Sequence, residues 1–385
     1  MSMYQCKIFC QKENKRALPA TEMAPIRIAV AGCGIAAQRL HFPNLLRLAN
    51  QFRVDAVCDI SQPALGQALK VFPGAAGFTS LTELLEFDCD GLLLLTSGDH
   101  VAELLAAAKA RRHVLVEKPA GFCSADARAV AQAYTGTGCV AMVGYMKRFD
   151  SGTERALRYL RSAGKAMFTQ VRLWHPPLDR YISPEIVPTV EELGSRAFIG
   201  WLLTATGETY AAQITKAVGK QATAPARVAY FLLITSGIHN LNLLRSALGS
   251  RAEILEALCW DGGLAGQVTL GFPDSQVATY AWLFRQHGSF QDTVEFITPA
   301  ERIIVNYPAA YLRDRSAHVT REFDTRGGVP IVEVEEPSFD DPFRRELLHF
   351  HDCIRGLVPP RTTLDDAYGD IELIESIVRE MKVRN

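Results

Sequence analysis

The stretch PIRIAVAGCGIAA, residues 25–37, decides the fold. Its first part, PIRIAVAGCG at 25–34, is mostly apolar and leads into a glycine-bearing turn, which predicts a buried strand. The second part, GCGIAA at 32–37, fits the spacing G-x-G-x-x-A. Such a spacing arises by chance often enough to mean little alone, but here it follows a strand and opens the helical pattern IAAQRLHFPNLLRLAN. Gly32 allows a tight turn, and Gly34 lets the backbone approach a pyrophosphate. Ile35 and Ala36 carry the turn onto the helix N-terminus where such an anion sits. Ala37 stands in place of the third glycine.

Outward from this turn, strand and helix alternate. FRVDAVCD (52–59), GLLLLT (91–96), HVLVEKP (113–119) and CVAMVGY (139–145) read as strands, with SQPALGQALKVF, DHVAELLAAAKARR and SADARAVAQAYTG as helices between them. The almost wholly apolar GLLLLT suits a parallel strand covered on both faces. The expectation is a Rossmann-type, doubly wound parallel sheet over 25–148, in an α/β chain. Asp59 ends the second strand, where an acid can accept hydrogen bonds from adenosine ribose hydroxyls and repel a 2′-phosphate. That favours NAD, with NADP the alternative. From 149 to 385 the strands AMFTQVRLW, EILEALCW, GQVTLGF, QVATYAWLF, TVEFITP and ERIIVNY no longer alternate with helices. They predict an α+β domain with a large, mainly antiparallel sheet. A proline-marked loop and helix-like stretches at 176–233 read as an insertion, and DPFRRELLHFHDCIRG and LDDAYGDIELIESIVREMK as a closing helix pair.

The totals narrow the function classes. A net charge of −1 gives no reason to expect nucleic acid or an anionic membrane as partner. No window of about 18 apolar residues is present, so no membrane span is expected. The nine cysteines are scattered; Cys33, Cys58, Cys139 and Cys259 sit in apolar surroundings and read as buried thiols of a cytoplasmic protein. Cys6 and Cys10 lack a partner pair, so no metal site is expected. Residues 1–24 read as a poorly ordered extension, with Met1 or Met23 as the start.

VEKPA, 116–120, puts a charged pair at the C-terminal end of a parallel strand, where ligands bind in open α/β sheets. On its own, a surface Glu–Lys pair would be the plainer reading. In context the chain resembles the glucose-fructose oxidoreductase / inositol dehydrogenase / rhizopine catabolism (Gfo/Idh/MocA) family of NAD(P)-dependent oxidoreductases. The pieces that carry the resemblance come in family order: VAGCGIAAQRLHFPNL, TSGDHVAELLAAAKARRHVLVEKPAG, VGYMKRFDSG, SGIHNLNLLRSALG and FRRELLHFHDCIRGLVPPRTTLDDA. It covers roughly 25–385, apart from the insertion.

The resemblance implies an active site between the domains. Lys118 and His239 would be catalytic, and Thr96, Ser97, His100 and Glu117 would line the cofactor together with Lys118. Lys147, Thr235 and Asn242 would face the substrate. It implies hydride transfer between nicotinamide and a secondary alcohol or ketone of a sugar, cyclitol or related polyol, and a homo-oligomer, dimer or tetramer, formed through the second sheet. Two departures stand out: Thr235 where the family often has an aspartate four residues before the histidine, and Asn242 where it often has another acid. A dinucleotide-binding regulator without turnover, an imine reductase and an oxidation-assisted glycosidase of the same fold are the competing outcomes.

Overall fold

In a computed structural model of the chain, residues 24–176, 202, 204–284, 289–309 and 311–384 are described. The expected extension, apart from Ala24, and residues 177–201 of the expected insertion lie outside them, as do Cys6, Cys10, Tyr181 and Trp201.

The first sheet contains β1 (Ile26–Ala31), β2 (Phe52–Cys58), β3 (Ala76–Phe78), β4 (Gly91–Leu94), β5 (His113–Glu117) and β6 (Ala141–Gly144). All its pairings are parallel and the strand order is β3-β2-β1-β4-β5-β6. Every residue of β4 is buried, as its unbroken apolar run requires. The order reverses between β1 and β4, so the crevice beyond their C-terminal ends is where such a sheet takes a ligand. The three-residue β3 was not expected; AGF is too short to show a period.

The second sheet has nine strands in the order β14-β13-β12-β11-β7-β10-β9-β8-β15. They are β7 (Phe168–His175), β8 (Glu253–Trp260), β9 (Ala265–Phe272), β10 (Gln276–Phe284), β11 (Gln291–Ile297), β12 (Glu301–Tyr307), β13 (His318–Asp324), β14 (Pro330–Glu335) and β15 (Lys382–Val383). The pairing is antiparallel except at β7–β10 and β8–β15. In β10 the alternating Gln276, Ala278, Tyr280, Trp282 and Phe284 are buried while the intervening residues are half-buried, so one face carries the core. Strand β13, rich in charge, carries no clear strand signal in its residues. The same is true of β14, an edge strand whose Val332 and Val334 point into solvent.

Helix Ser151–Ala163 starts on Asp150, whose carboxylate accepts from the Thr153 amide at 2.9 Å. Helix Leu364–Arg379 starts with a capping box between Thr363 and Asp366. Within the described part of the expected insertion, helices Ala211–Val218 and Ala224–Leu232 bury Ile214, Tyr230 and Phe231 in the core. Helix Ala224–Leu232 then runs through a π-helical turn, Leu233–Gly237, straight into helix Ile238–Leu248. His239 therefore sits inside a long helical run rather than ahead of a helix. Helix Pro342–Ile354 follows the second sheet in sequence but packs in the core of the first. Its Leu347, Phe350 and Cys353 join Ile26, Ile28 and Phe52, with the Phe52 and Phe350 rings stacked 6.5 Å apart.

One residue on this helix face is out of character. Glu346 is fully buried, and neither carboxylate oxygen has a hydrogen-bond partner among the described residues. Burial, then the charges of Glu117 and Asp341, push its carboxyl well above the usual range. The folded state thus holds a proton that the unfolded chain releases near pH 4.5. Stability falls as pH rises from there through the raised value, by up to about 1.4 kcal/mol per pH unit. Urea unfolding between pH 5 and pH 8 should show this slope in the wild type and lose it in Glu346→Gln; an equal slope in both would assign it to other groups.

Candidate active site

The turn after β1 is built on close approach. Gly32 has φ +93°, and a Cβ there would lie 2.5 Å from the Thr96 backbone nitrogen and 2.6 Å from the Leu95 carbonyl carbon. Any side chain would push the turn off the end of β4. Asp59 braces the same turn: one carboxylate oxygen accepts from the Cys33 amide at 2.7 Å and the other from the Ser61 amide at 2.7 Å. Each oxygen keeps a second lone pair for a ligand hydroxyl. The next residue, Ile60, is 91 % exposed, an apolar surface beside this carboxylate for which the sequence offered no signal. Thr96, against the same turn, has its hydroxyl buried with no hydrogen-bond partner among the described residues. Such a hydroxyl calls for a ligand atom.

A dinucleotide fits this set. Gly32 to Ala36 would cradle the pyrophosphate, Asp59 would hold the ribose, and Thr96 would meet the nicotinamide half. Ser97 is exposed beside it. His100 is differently engaged: it is fully buried, with its ring nitrogens 2.7 Å from the Pro119 carbonyl and 2.9 Å from the Thr96 carbonyl. It ties the loop after β4 to the loop after β5. Glu117 also faces inward. One oxygen is 2.9 Å from His41 Nε2, and the other accepts from the Lys118 amide. Burial alone would raise its pKa, but His41, Lys118 and His239 outweigh that and hold it at about 2. Glu117 is thus a fixed negative charge behind the lysine.

Lys118 leaves β5 through a cis bond to Pro119 and reaches across to the second domain, where its Nζ donates to the Thr235 carbonyl at 2.7 Å. Thr235 lies in the π-helical turn, a kind of irregularity frequent at functional sites. Its hydroxyl is turned back to the Phe231 carbonyl at 2.6 Å. So where a side-chain carboxylate was expected in relatives, this chain presents a main-chain carbonyl to the lysine. Burial lowers the Lys118 pKa and Glu117 partly opposes it.

His239 is half-buried, edge-on to the Tyr145 ring at 6.2 Å, and its buried Nδ1 has no hydrogen-bond partner among the described residues. Burial first, then the charges of Lys118 and Lys147, hold it well below 6.5, against a weaker pull from Glu117. It is therefore a neutral imidazole at neutral pH, able to accept a proton but carrying none to spare.

The remaining substrate candidates are committed elsewhere. Lys147 is 4 % exposed; its Nζ lies 2.5 Å from both Asp292 Oδ2 and Asn240 Oδ1 and 4.0 Å from the centre of the Tyr307 ring. Asn242 donates to Asp370 at 2.7 Å and accepts from Arg148 at 3.3 Å, in the packing between helices rather than beside Lys118.

His175, at the end of β7, was missed. Its Nδ1 lies 2.6 Å from the Pro176 carbonyl, which can only accept, so Nδ1 carries the proton and Nε2 keeps its lone pair. The ring stacks on Phe284 at 5.4 Å and meets Phe290 edge-on. Burial lowers its pKa, against the Pro176 carbonyl and Asp292, which raise it. The signal was a histidine closing a strand before two prolines. Tyr210, by contrast, is core as expected, stacked 4.7 Å from Phe122.

Residues 26–145, the whole of the first sheet, match the Gfo/Idh/MocA model, described as an oxidoreductase family with an NAD-binding Rossmann fold. Two curated relatives match parts of the chain. One is an uncharacterized oxidoreductase of Schizosaccharomyces pombe, 35% identical over 100 residues, 25% of this chain and 27% of the relative. The other is the 4-carboxy-2-hydroxymuconate-6-semialdehyde dehydrogenase of a Sphingobium species, 33% identical over 127 residues, 32% of this chain and 40% of the relative. The chain thus spans well under half the length of each. Among solved structures, a 3-ketoreductase from Actinomadura kijaniata in complex with NADP and TDP-benzene is similar at a TM-score of 0.69 and 18% identity, over 93% of this chain and 98% of that one. This likeness of fold takes in the second sheet as well as the first. Among the described residues no cluster of side chains could hold a metal ion, and no helix is long and apolar enough to cross a membrane.

Proposed function

We propose that the protein is an NAD(P)-dependent oxidoreductase acting on a secondary alcohol or ketone of a sugar, cyclitol or related polyol, with Lys118 and His239 handling the proton. The observation that carries this is the Lys118–Thr235 bond: a buried ammonium at the ligand end of β5 pointed at a carbonyl oxygen, next to a neutral imidazole. Bound nicotinamide would supply or accept the hydride. The chain must then move one proton at the substrate oxygen. In reduction, Lys118 is the group with a proton to give. In oxidation the same amine, deprotonated, takes that proton back from the substrate hydroxyl, and the neutral His239 is the acceptor that can pass it on. His175 Nε2 offers an acceptor to a further substrate hydroxyl. The polyol class rests on the resemblance and on these neutral acceptors. Pairing of subunits through the open face of the second sheet is part of the same reading, checked by light scattering.

The test is a screen of polyols, keto-sugars and nucleotide-linked sugars in both directions, followed by nicotinamide absorbance. Turnover of a member of these classes supports the reading. Dinucleotide binding with no turnover of any would sink it in favour of a regulator. The cofactor arm uses Asp59→Asn, which removes the charge and keeps an acceptor for the turn. The preference for NAD over NADP should fall by about tenfold or more, as a charged hydrogen bond contributes ~1.5–3 kcal/mol. An unchanged preference would remove Asp59 from the ribose site.

A further inference from the structure

A second cavity, of about 760 Å³, lies beside helix Ser151–Ala163. Its volume is in the range of small-molecule sites. Arg158 and Arg161 of that helix line it, together with Lys165, Arg148 and Arg361. Ser246 and Ala247, at the end of helix Ile238–Leu248, form part of the floor. They lie eight residues past His239, about 12 Å along the axis, so this cavity is separate from the candidate active site.

We propose that this cavity binds a small molecule carrying two linked phosphate groups. Five cations line it against one carboxylate, Glu154, in a chain whose net charge is −1. Glu154 is already shared by Arg345 and Arg361. Lys165 is paired with Asp274 at 2.7 Å. The side chains of Arg158 and Arg161 have no hydrogen bond or ion pair among the described residues. Arg148 is half-buried and touches no carboxylate; its guanidinium reaches only the Asn242 amide oxygen at 3.3 Å and the Arg361 carbonyl at 3.5 Å. Cations near the end of a helix complement its dipole, which accounts for Arg161 and Lys165. It does not account for Arg148 and Arg361, which come from other elements and converge on the same space. Several guanidinium groups around one cavity match a ligand with more than one anionic group, since planar donor forks suit phosphate.

The experiment is calorimetric titration of the full chain with inorganic pyrophosphate. The dinucleotide is present at saturation to fill the turn after β1, and ionic strength is fixed with sodium chloride. A saturable site is expected, with orthophosphate binding more weakly because it offers a single phosphate to the several cations. The exposed pair Arg158→Glu/Arg161→Glu should weaken pyrophosphate at least tenfold while leaving dinucleotide binding and the thermal melt unchanged. Absence of a saturable heat, or the same affinity in the double variant, would overturn the proposal.

Discussion

Lys118→Ala lowers kcat by about 10²–10⁴-fold and leaves dinucleotide affinity within a few-fold of wild type, measured by nicotinamide fluorescence. The range is that of a positioned proton carrier. The argument is geometric first. Nζ has three donors and spends one on the Thr235 carbonyl, leaving two for a substrate oxygen and a neighbour. The partner it would exchange is itself a neutral carbonyl, so a ketone replaces like with like and the ammonium is never left bare in a buried site. The amine's lowered pKa also favours giving up the proton. Lys118→Arg keeps the charge but cannot release a proton at working pH, so it should remain as impaired in kcat as the alanine variant. In reduction, wild-type activity should fall with rising pH through the lowered lysine pKa, below the usual 10.5, and this limb should vanish in the variants. An alanine variant within tenfold of wild type would end the assignment.

Asp292→Ala destabilises the chain by about 3–5 kcal/mol in urea unfolding. Asp292 is 7 % exposed and holds Lys147, itself 4 % exposed, at 2.5 Å. Removing the carboxylate leaves an ammonium that burial already disfavours, with Asn240 and the Tyr307 ring beside it and a weaker pull from Asp150. Replacing both partners, Lys147→Met with Asp292→Leu, should recover most of the loss, because it removes the stranded charge as well as the pair. If the single and double variants were equally unstable, the pair would matter through packing instead. The double variant also takes away one of the two cations that hold His239 neutral, and its pKa should rise.

The parts of this molecule legible in the sequence are those fixed by local rules. Gly32 announces itself because only glycine tolerates both φ +93° and a backbone 2.5 Å away. Asp59 is found by its place at the end of β2, and Lys118 by its place at the end of β5. The rest depends on what the fold brings together. Nothing near Thr235 in sequence says that its carbonyl, 117 positions from Lys118, will meet that lysine. Nor could His239 be read as neutral before Lys118 and Lys147 were placed on either side of it. Lys147, 145 positions from Asp292, looked available to a substrate until its partner appeared. Edge strands such as β14 escape because an exposed strand needs no apolar face.

The return of helix Pro342–Ile354 to the first core bears on the order of events during synthesis. The ribosome releases all six strands of the nucleotide domain before this helix exists, with one end of that core still uncovered. Ile26, Ile28 and Phe52 are at most 2 % exposed in the finished protein, yet they have no Leu347 or Phe350 to lie against until the chain is nearly complete. A fragment ending near residue 148 would carry that apolar surface open to water, so the unit that evolves as a recognisable family segment is not the unit that becomes soluble. Any attempt to study nucleotide binding in isolation must carry the C-terminal helix along.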